Sequence, residues 1–205
     1  MSKHGLTKER IITVSEDFFS KYGYYGTSMS DISKATGVQK SSLYSHFDSK
    51  EQLFLKVYQG VLDSAATQLS NIFFDNRLSD EEKLHQMFLL FCLSETADIL
   101  RIGLHPNPEC QEQTTEILLK FEENFKTLLI GLFKRLCVTK ADDDCCEVFF
   151  FLLNGVMIKK DNYEKGQYPQ KVELAWNTFC QWTNIKSVSY THLDVYKRQL
   201  FKSLL

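Results

Sequence analysis

The chain has 205 residues, 43% hydrophobic and 24% charged, with a formal net charge of −2. That length supports one small module beside one sizeable core. Apolar runs such as residues 148–153 are far short of the roughly 20 residues a membrane-spanning helix needs.

Ile11, Ser15, Phe18, Phe19 and Tyr22 keep helical spacing and predict a helix over about 8–22, stopped by Gly23. A turn-rich link, 23–28, follows. Ser28 with Asp31 reads as a capping box opening a second helix, with Ile32 and Ala35 on one face. Gly37 then supplies a left-handed turn. Val38 re-enters the core, and Leu43 and Phe47, spaced i,i+4, form the buried side of a third short helix. Two short helices joined by a tight glycine turn make a helix-turn-helix, whose second helix enters the DNA major groove. The outer face of that helix carries Gln39, Lys40, Ser41, Ser42, Tyr44, Ser45 and His46, groups able to reach base edges or phosphates. No acidic residue lies between Lys34 and Phe47. Ser49 and Gln52 form a second capping box, opening a long helix through Leu53, Phe54, Val57, Val61 and Leu62. Lys50 in its first turn opposes the helix dipole, which suggests an outside anion such as DNA phosphate. A solvated polar face on an ordinary three-helix core is the alternative.

Thr27-Ser28, Asp31-Ile32, Thr36-Gly37-Val38, Leu43-Tyr44, His46-Phe47 and Ser49-Lys50-Glu51-Gln52-Leu53 together resemble the tetracycline-repressor (TetR) family of bacterial transcription regulators. The resemblance covers roughly residues 8–58; beyond 60 it rests on length and helical character. It implies an all-α homodimer with an N-terminal three-helix helix-turn-helix domain (1–58) and a C-terminal helical ligand-binding and dimerisation domain (59–187). It also implies that Gln39, Lys40, Ser42 and Ser45 face bases while Tyr44, His46 and Lys50, with Thr27 or Ser28, hold phosphates; Ser41 is a further DNA-binding candidate. Where the family often has glycine or alanine followed by threonine, this chain has Ser41-Ser42, so no operator preference carries over.

The second half reads as helices throughout. Ser79-Asp80-Glu81-Glu82 caps a helix through Leu84, Met87, Phe88, Phe91 and Cys92 to about Leu100. Residues 105–108, His-Pro-Asn-Pro, break the chain. A long helix follows over about 109–137, with Ile117, Phe121, Phe125, Leu128, Leu132 and Leu136 on its apolar face. Asp142, Asp143 and Asp144 suit the next helix N-terminus. That helix, about 142–160, is apolar almost all round, as one packed on both sides is. A last helix over about 170–185 carries Val172, Leu174, Ala175, Trp176, Phe179 and Trp182. The resemblance makes these last two helices the dimer interface, with Gly155 allowing close approach; an intramolecular core is the alternative. It also implies an effector pocket, for which Phe88, Phe91, Cys92, His105, Phe121, Phe125, Phe150 and Asn154 are candidates, with Glu95 a further polar group. The many phenylalanines favour a small hydrophobic effector.

Charge is unevenly divided. Residues 1–58 carry eight basic and six acidic side chains, a net +2, whereas 59–187 carry thirteen and nineteen, a net −6. The acidic load lies in the half expected to stay off DNA. All six cysteines, at 92, 110, 137, 145, 146 and 180, lie in the second half without zinc-site spacing, so no metal or cofactor is expected. No Gly-rich phosphate loop, nucleophile elbow or His-Glu-x-x-His motif is present, so no enzymatic role is expected. Residues 1–7 are polar, so no signal peptide is expected and the chain reads as cytoplasmic. Residues 188–199 back-translate, apart from the last two bases, to a DNA palindrome resembling two sequencing-adaptor ends joined head to head. Residues 188–205 are therefore expected to be a non-native tail. The whole reads as a bacterial, homodimeric, ligand-responsive repressor on a palindromic operator. A helical small-molecule-binding protein or enzyme that no longer meets DNA, and a pure interaction module, are the rivals from other classes.

Overall fold

The computed structural model describes residues 3–94, 97–104, 108–164 and 166–187. Among these the fold is all-helical: α1 (Lys3–Gly26), α2 (Met29–Thr36), α3 (Lys40–His46), α4 (Lys50–Phe74), α5 (Asp80–Leu93), α6 (Ala97–Leu104), α7 (Gln111–Arg135), α8 (Asp142–Ile158) and α9 (Tyr168–Thr183). No strand occurs among the described residues.

The first three helices follow from local signals. Regular α1 geometry is broken at Gly23 (φ 69°, ψ −179°), a positive φ that glycine adopts without strain. Ser28 caps α2 by accepting the Asp31 N–H, and Gly37 (φ 69°, ψ 12°) terminates it in the left-handed conformation expected of it. The buried face of α2 is Met29, Ile32 and Thr36. Ala35, expected inside, is exposed; Thr36 takes its place because its hydroxyl donates back to the Ile32 carbonyl (2.7 Å). Tyr22, also expected inside, is 59% exposed and leans on Phe18. Leu43 and Phe47 are buried as expected, against a core in which Phe54 meets both Phe19 and Tyr24 edge-on.

From this head α4 runs on without interruption through residue 74, so the expected boundary at 58/59 falls inside one continuous helix. Ser49 caps it through the Gln52 N–H (3.0 Å), while the Gln52 side chain accepts from Asp48 N–H rather than Ser49. Ser79 and Glu82 complete a reciprocal capping box on α5. The single helix expected to reach Leu100 is two: Ser94 turns extended (φ −70°, ψ 157°), and its carbonyl accepts the Ala97 N–H at the start of α6. Lys160 pairs with Asp98 at 2.7 Å and Arg101 with Asp161, tying α6 to the α8–α9 connection. Tyr24 donates to Glu109 Oε2 (2.6 Å), tying the end of α1 to the turn before α7.

The C-terminal core is aromatic. Phe88, Phe125 and Phe179 all meet Phe149 edge-on, and Trp176 is buried between His85 and Phe179. The last two helices are only half enclosed. Val172, Ala175, Trp176 and Phe179 face inward, whereas Phe151 (69%), Leu174 (60%), Ile158 (44%) and Trp182 (36%) are exposed. No helix among the described residues is long and apolar enough to cross a membrane.

Candidate nucleic-acid interface

The turn at Gly37 sets α3 across α2, and Leu43 (0%) and Phe47 (2%) pin its inner side. Fixing those two residues on a 3.6-residue helix turns Gln39, Lys40, Ser41, Tyr44 and Ser45 outward, all of them exposed. Ser42 and His46 are half-buried at the edge. The Ser45 hydroxyl donates to the Ser42 carbonyl (2.7 Å), which leaves its oxygen lone pairs facing out. Tyr44, 41% exposed, offers a ring and a phenol on the same face. The face therefore holds an ammonium, an amide and several hydroxyls with no carboxylate among them, a donor-rich surface suited to phosphate oxygens and purine edges.

Around this helix the expected phosphate contacts divide. Ser28 is exposed, its hydroxyl engaged with Asp31 as a helix cap. Thr27 is 1% exposed, and its hydroxyl donates to the carbonyls of Gly23 (2.9 Å) and Phe18 (3.2 Å). It closes the end of α1 from inside and has no free face for phosphate. The cation at the start of α4 likewise has an internal explanation. Lys50 Nζ donates to the Tyr24 carbonyl (3.0 Å) and sits 4.1 Å from the centre of the Tyr24 ring. An ammonium unfavourable at the N-terminus of α4 is thereby held at the C-terminal carbonyls of α1, where the dipole favours it. Tyr25, 67% exposed and 5.9 Å from Lys50 Nζ by its ring centre, lies beside this pair. Its place in a turn gave no helical period by which to single it out.

The effector candidates fall in two groups. Phe91, Phe121, Phe125, Phe150 and Asn154 line one cavity of about 30 Å³ between α4, α5, α6, α7 and α8. Phe88 and Cys92 are both 0% exposed and belong to the packed core instead. His105 and Glu95 lie outside the described residues, as does the tail 188–205. The cavity also contains Glu122, which was not anticipated. Burial, and then the Glu147 charge, push its carboxyl above the usual range. A larger open groove of about 500 Å³ lies by Phe73, Phe74, Asp80 and Arg135; Arg135 there is bonded to Asp80 at 2.9 Å.

Cys145 and Cys146 are buried, and burial pushes the Cys146 thiol up to about 12, so neither is poised as a thiolate. Groups of three or more potential metal ligands do not occur among the described residues.

Residues 11–57 match the family model for bacterial regulatory proteins of the tetR family. A Bacillus subtilis HTH-type transcriptional regulator, YdgC, is 24% identical over 61% of this chain and 67% of its own length. The IcaR negative transcriptional regulator of the biofilm operon icaADBC from Staphylococcus epidermidis is 45% identical over 24% of this chain and 26% of its own length. The chain thus spans between about a quarter and two thirds of these relatives. A transcriptional regulator from Saccharomonospora viridis, solved with choline, shares the fold at a TM-score of 0.73, with 14% identity over 86% of this chain and 96% of that one. These findings support a tetR-type helix-turn-helix over residues 11–57, and the proteins matched are named as transcriptional regulators.

Proposed function

We infer that this chain, with its tetR-type helix-turn-helix domain, is a repressor that binds a palindromic operator as a homodimer and is released by a small, largely hydrophobic effector. The observation that carries this reading is the two-sided character of α3. Its inner residues are locked by burial while its outer residues form a carboxylate-free polar face. In the dimer two such helices occupy successive major grooves, with Gln39, Lys40 and Ser41 toward bases and Tyr44 toward backbone. The exposed apolar residues of α8 and α9 support a second copy as their cover. Gly155, with nothing within 4 Å of the position of a Cβ, allows that copy close approach. Such a regulator works in the cytoplasm, where its operator is.

Ligand responsiveness rests on the cavity between α4 and α8. At about 30 Å³ it has room for roughly one water molecule, so an effector needs an enlarged cavity. An effector that fits only an enlarged cavity shifts the population toward a different α4 and α6 arrangement, and with it the spacing of the two DNA-binding heads. That choline occupies the Saccharomonospora viridis regulator of the same fold supports a small-molecule role for this domain.

The test is selection of DNA from a random or genomic library by the purified chain at two salt concentrations. An enriched inverted repeat, bound more weakly as salt rises, is the expected result. A folded dimer that enriches no sequence even at low salt would overturn the reading.

A further inference from the structure

The cavity between α4 and α8 has a chemical bias that the hydrophobic-effector reading does not include. Its walls are almost wholly apolar, with aromatic rings from α5, α7 and α8. Phe91 stacks on Phe125 (5.2 Å), and Phe150 meets Phe125 edge-on (5.5 Å). Within this lining only Glu122 and Asn154 are polar, and no basic side chain is present. Among the described residues no cation pairs with Glu122. Lys126, one turn further along α7, is held by Asp143 at 2.8 Å instead. Glu147, of the same sign, also acts on Glu122. Tyr58 on α4 lies close enough to feel the Glu122 charge; it is 0% exposed and its hydroxyl has no hydrogen-bond partner. A buried polar group without a partner is costly, and so is a half-desolvated carboxylate without a counter-ion.

We propose that the effector of this site is an organic cation with an apolar, aromatic-sized body, its positive charge set against Glu122 and its body among the phenylalanine rings. This rests on the reading of the cavity as the effector site. A cation supplies the charge that Glu122 lacks, and the ring faces add attraction for a diffuse ammonium or similar group. An anionic effector meets the Glu122 carboxylate and no compensating base. A neutral hydrophobic one leaves Glu122 desolvated and unpaired. Asn154, whose amide also makes no hydrogen bond within the described residues, offers a polar contact for a hydroxyl or carbonyl on the same ligand.

The experiment compares two probes of one shape, benzyltrimethylammonium and its uncharged carbon isostere neopentylbenzene. Binding to the full chain and to Glu122→Gln is measured by titration calorimetry, with release from operator DNA as a second readout. The expected result is that Glu122→Gln weakens the ammonium probe at least tenfold and leaves the neutral isostere unchanged or tighter. Glu123→Gln, an exposed neighbour on the same helix, should change neither. Asn154→Asp, which adds a second carboxylate, should tighten the ammonium and keeps the test available if Glu122→Gln folds poorly. Equal loss for both probes, or no change for the ammonium, overturns cation selection while leaving the cavity as the effector site. If neither probe binds the unaltered chain, both the proposal and the cavity reading fall.

Discussion

Phenylalanines in the two halves of this molecule sit under different constraints. In the N-terminal head, Phe47 and its neighbours are fully enclosed, and the outer face of the same helix is polar. Most α3 side chains are either core or surface, with Ser42 and His46 half-buried at the edge. In the C-terminal domain, α8 carries rings at three consecutive positions with three fates: Phe149 is buried at 0%, Phe150 borders the cavity, and Phe151 is 69% exposed. A rigid head needs one arrangement to present α3 in a fixed orientation. A domain that opens for an effector and docks a second copy needs apolar surface not yet satisfied within one chain. Under the proposed function, that difference separates a reading element from a responding one.

The comparison breaks most sharply at matched substitutions. Phe47→Ala should cost about 3–5 kcal/mol, the usual range for deleting a buried ring. Operator binding should vanish, and amide exchange should show the head opening before α7 to α9. Phe151→Ala should leave monomer stability within about 0.5 kcal/mol but weaken dimer association, on the order of 2 kcal/mol if the ring is a central anchor. Sedimentation of the two variants decides it. A dimer unaffected by Phe151→Ala would remove α8 from the interface.

A second contrast is titratable. His85 is 6% exposed and stacked on Trp176, and burial lowers its pKa from 6.5 to about 4. The unfolded chain takes up a proton below 6.5 while the folded one resists until about 4. The stability in question is therefore intact above 6.5 and lost as pH falls through that window, by roughly 3 kcal/mol at full extent. The melting temperature of the chain should fall relative to that of His85→Phe as pH drops from 7 to 4.5. A constant gap would place the acid sensitivity elsewhere. On the DNA face, Tyr44→Ala should weaken all sequences alike, whereas Lys40→Ala should relax preference by about 1–3 kcal/mol at one base position. Binding curves on the selected operator and on scrambled DNA separate the two.

The head was legible because its signals are local. Ser28, Gly37 and Ser49 each act within four residues, and each did in the structure what its position implied. What escaped depends on distant partners. Nothing near Lys50 in sequence shows that its ammonium reaches a carbonyl 26 residues away. No glycine or proline marks the break at Ser94, where the backbone turns extended. Glu122 was hidden by its register. Beside Lys126 it reads as half of an ordinary exposed i,i+4 pair, and only the engagement of Lys126 by Asp143 reveals it as uncompensated. The exposed half of α9 was equally invisible, because Leu174 and Trp182 read like their buried neighbours Ala175 and Trp176.

The smallest expected effect tests the sharpest local division, between adjacent Thr27 and Ser28. Thr27→Val keeps the shape of the side chain and removes only the hydroxyl that serves the Phe18 and Gly23 carbonyls. It should lower unfolding free energy by about 1 kcal/mol, with operator affinity of the folded protein unchanged. Ser28→Ala should cost a similar amount through loss of the α2 cap, but Ser28 is exposed and stands among the expected phosphate contacts, so it should also weaken binding to every DNA sequence. If instead Thr27→Val left the melting temperature alone and weakened operator binding tenfold, Thr27 would be a phosphate ligand after all. The end of α1 would then have to open on DNA, and the head would be less rigid than its packing indicates.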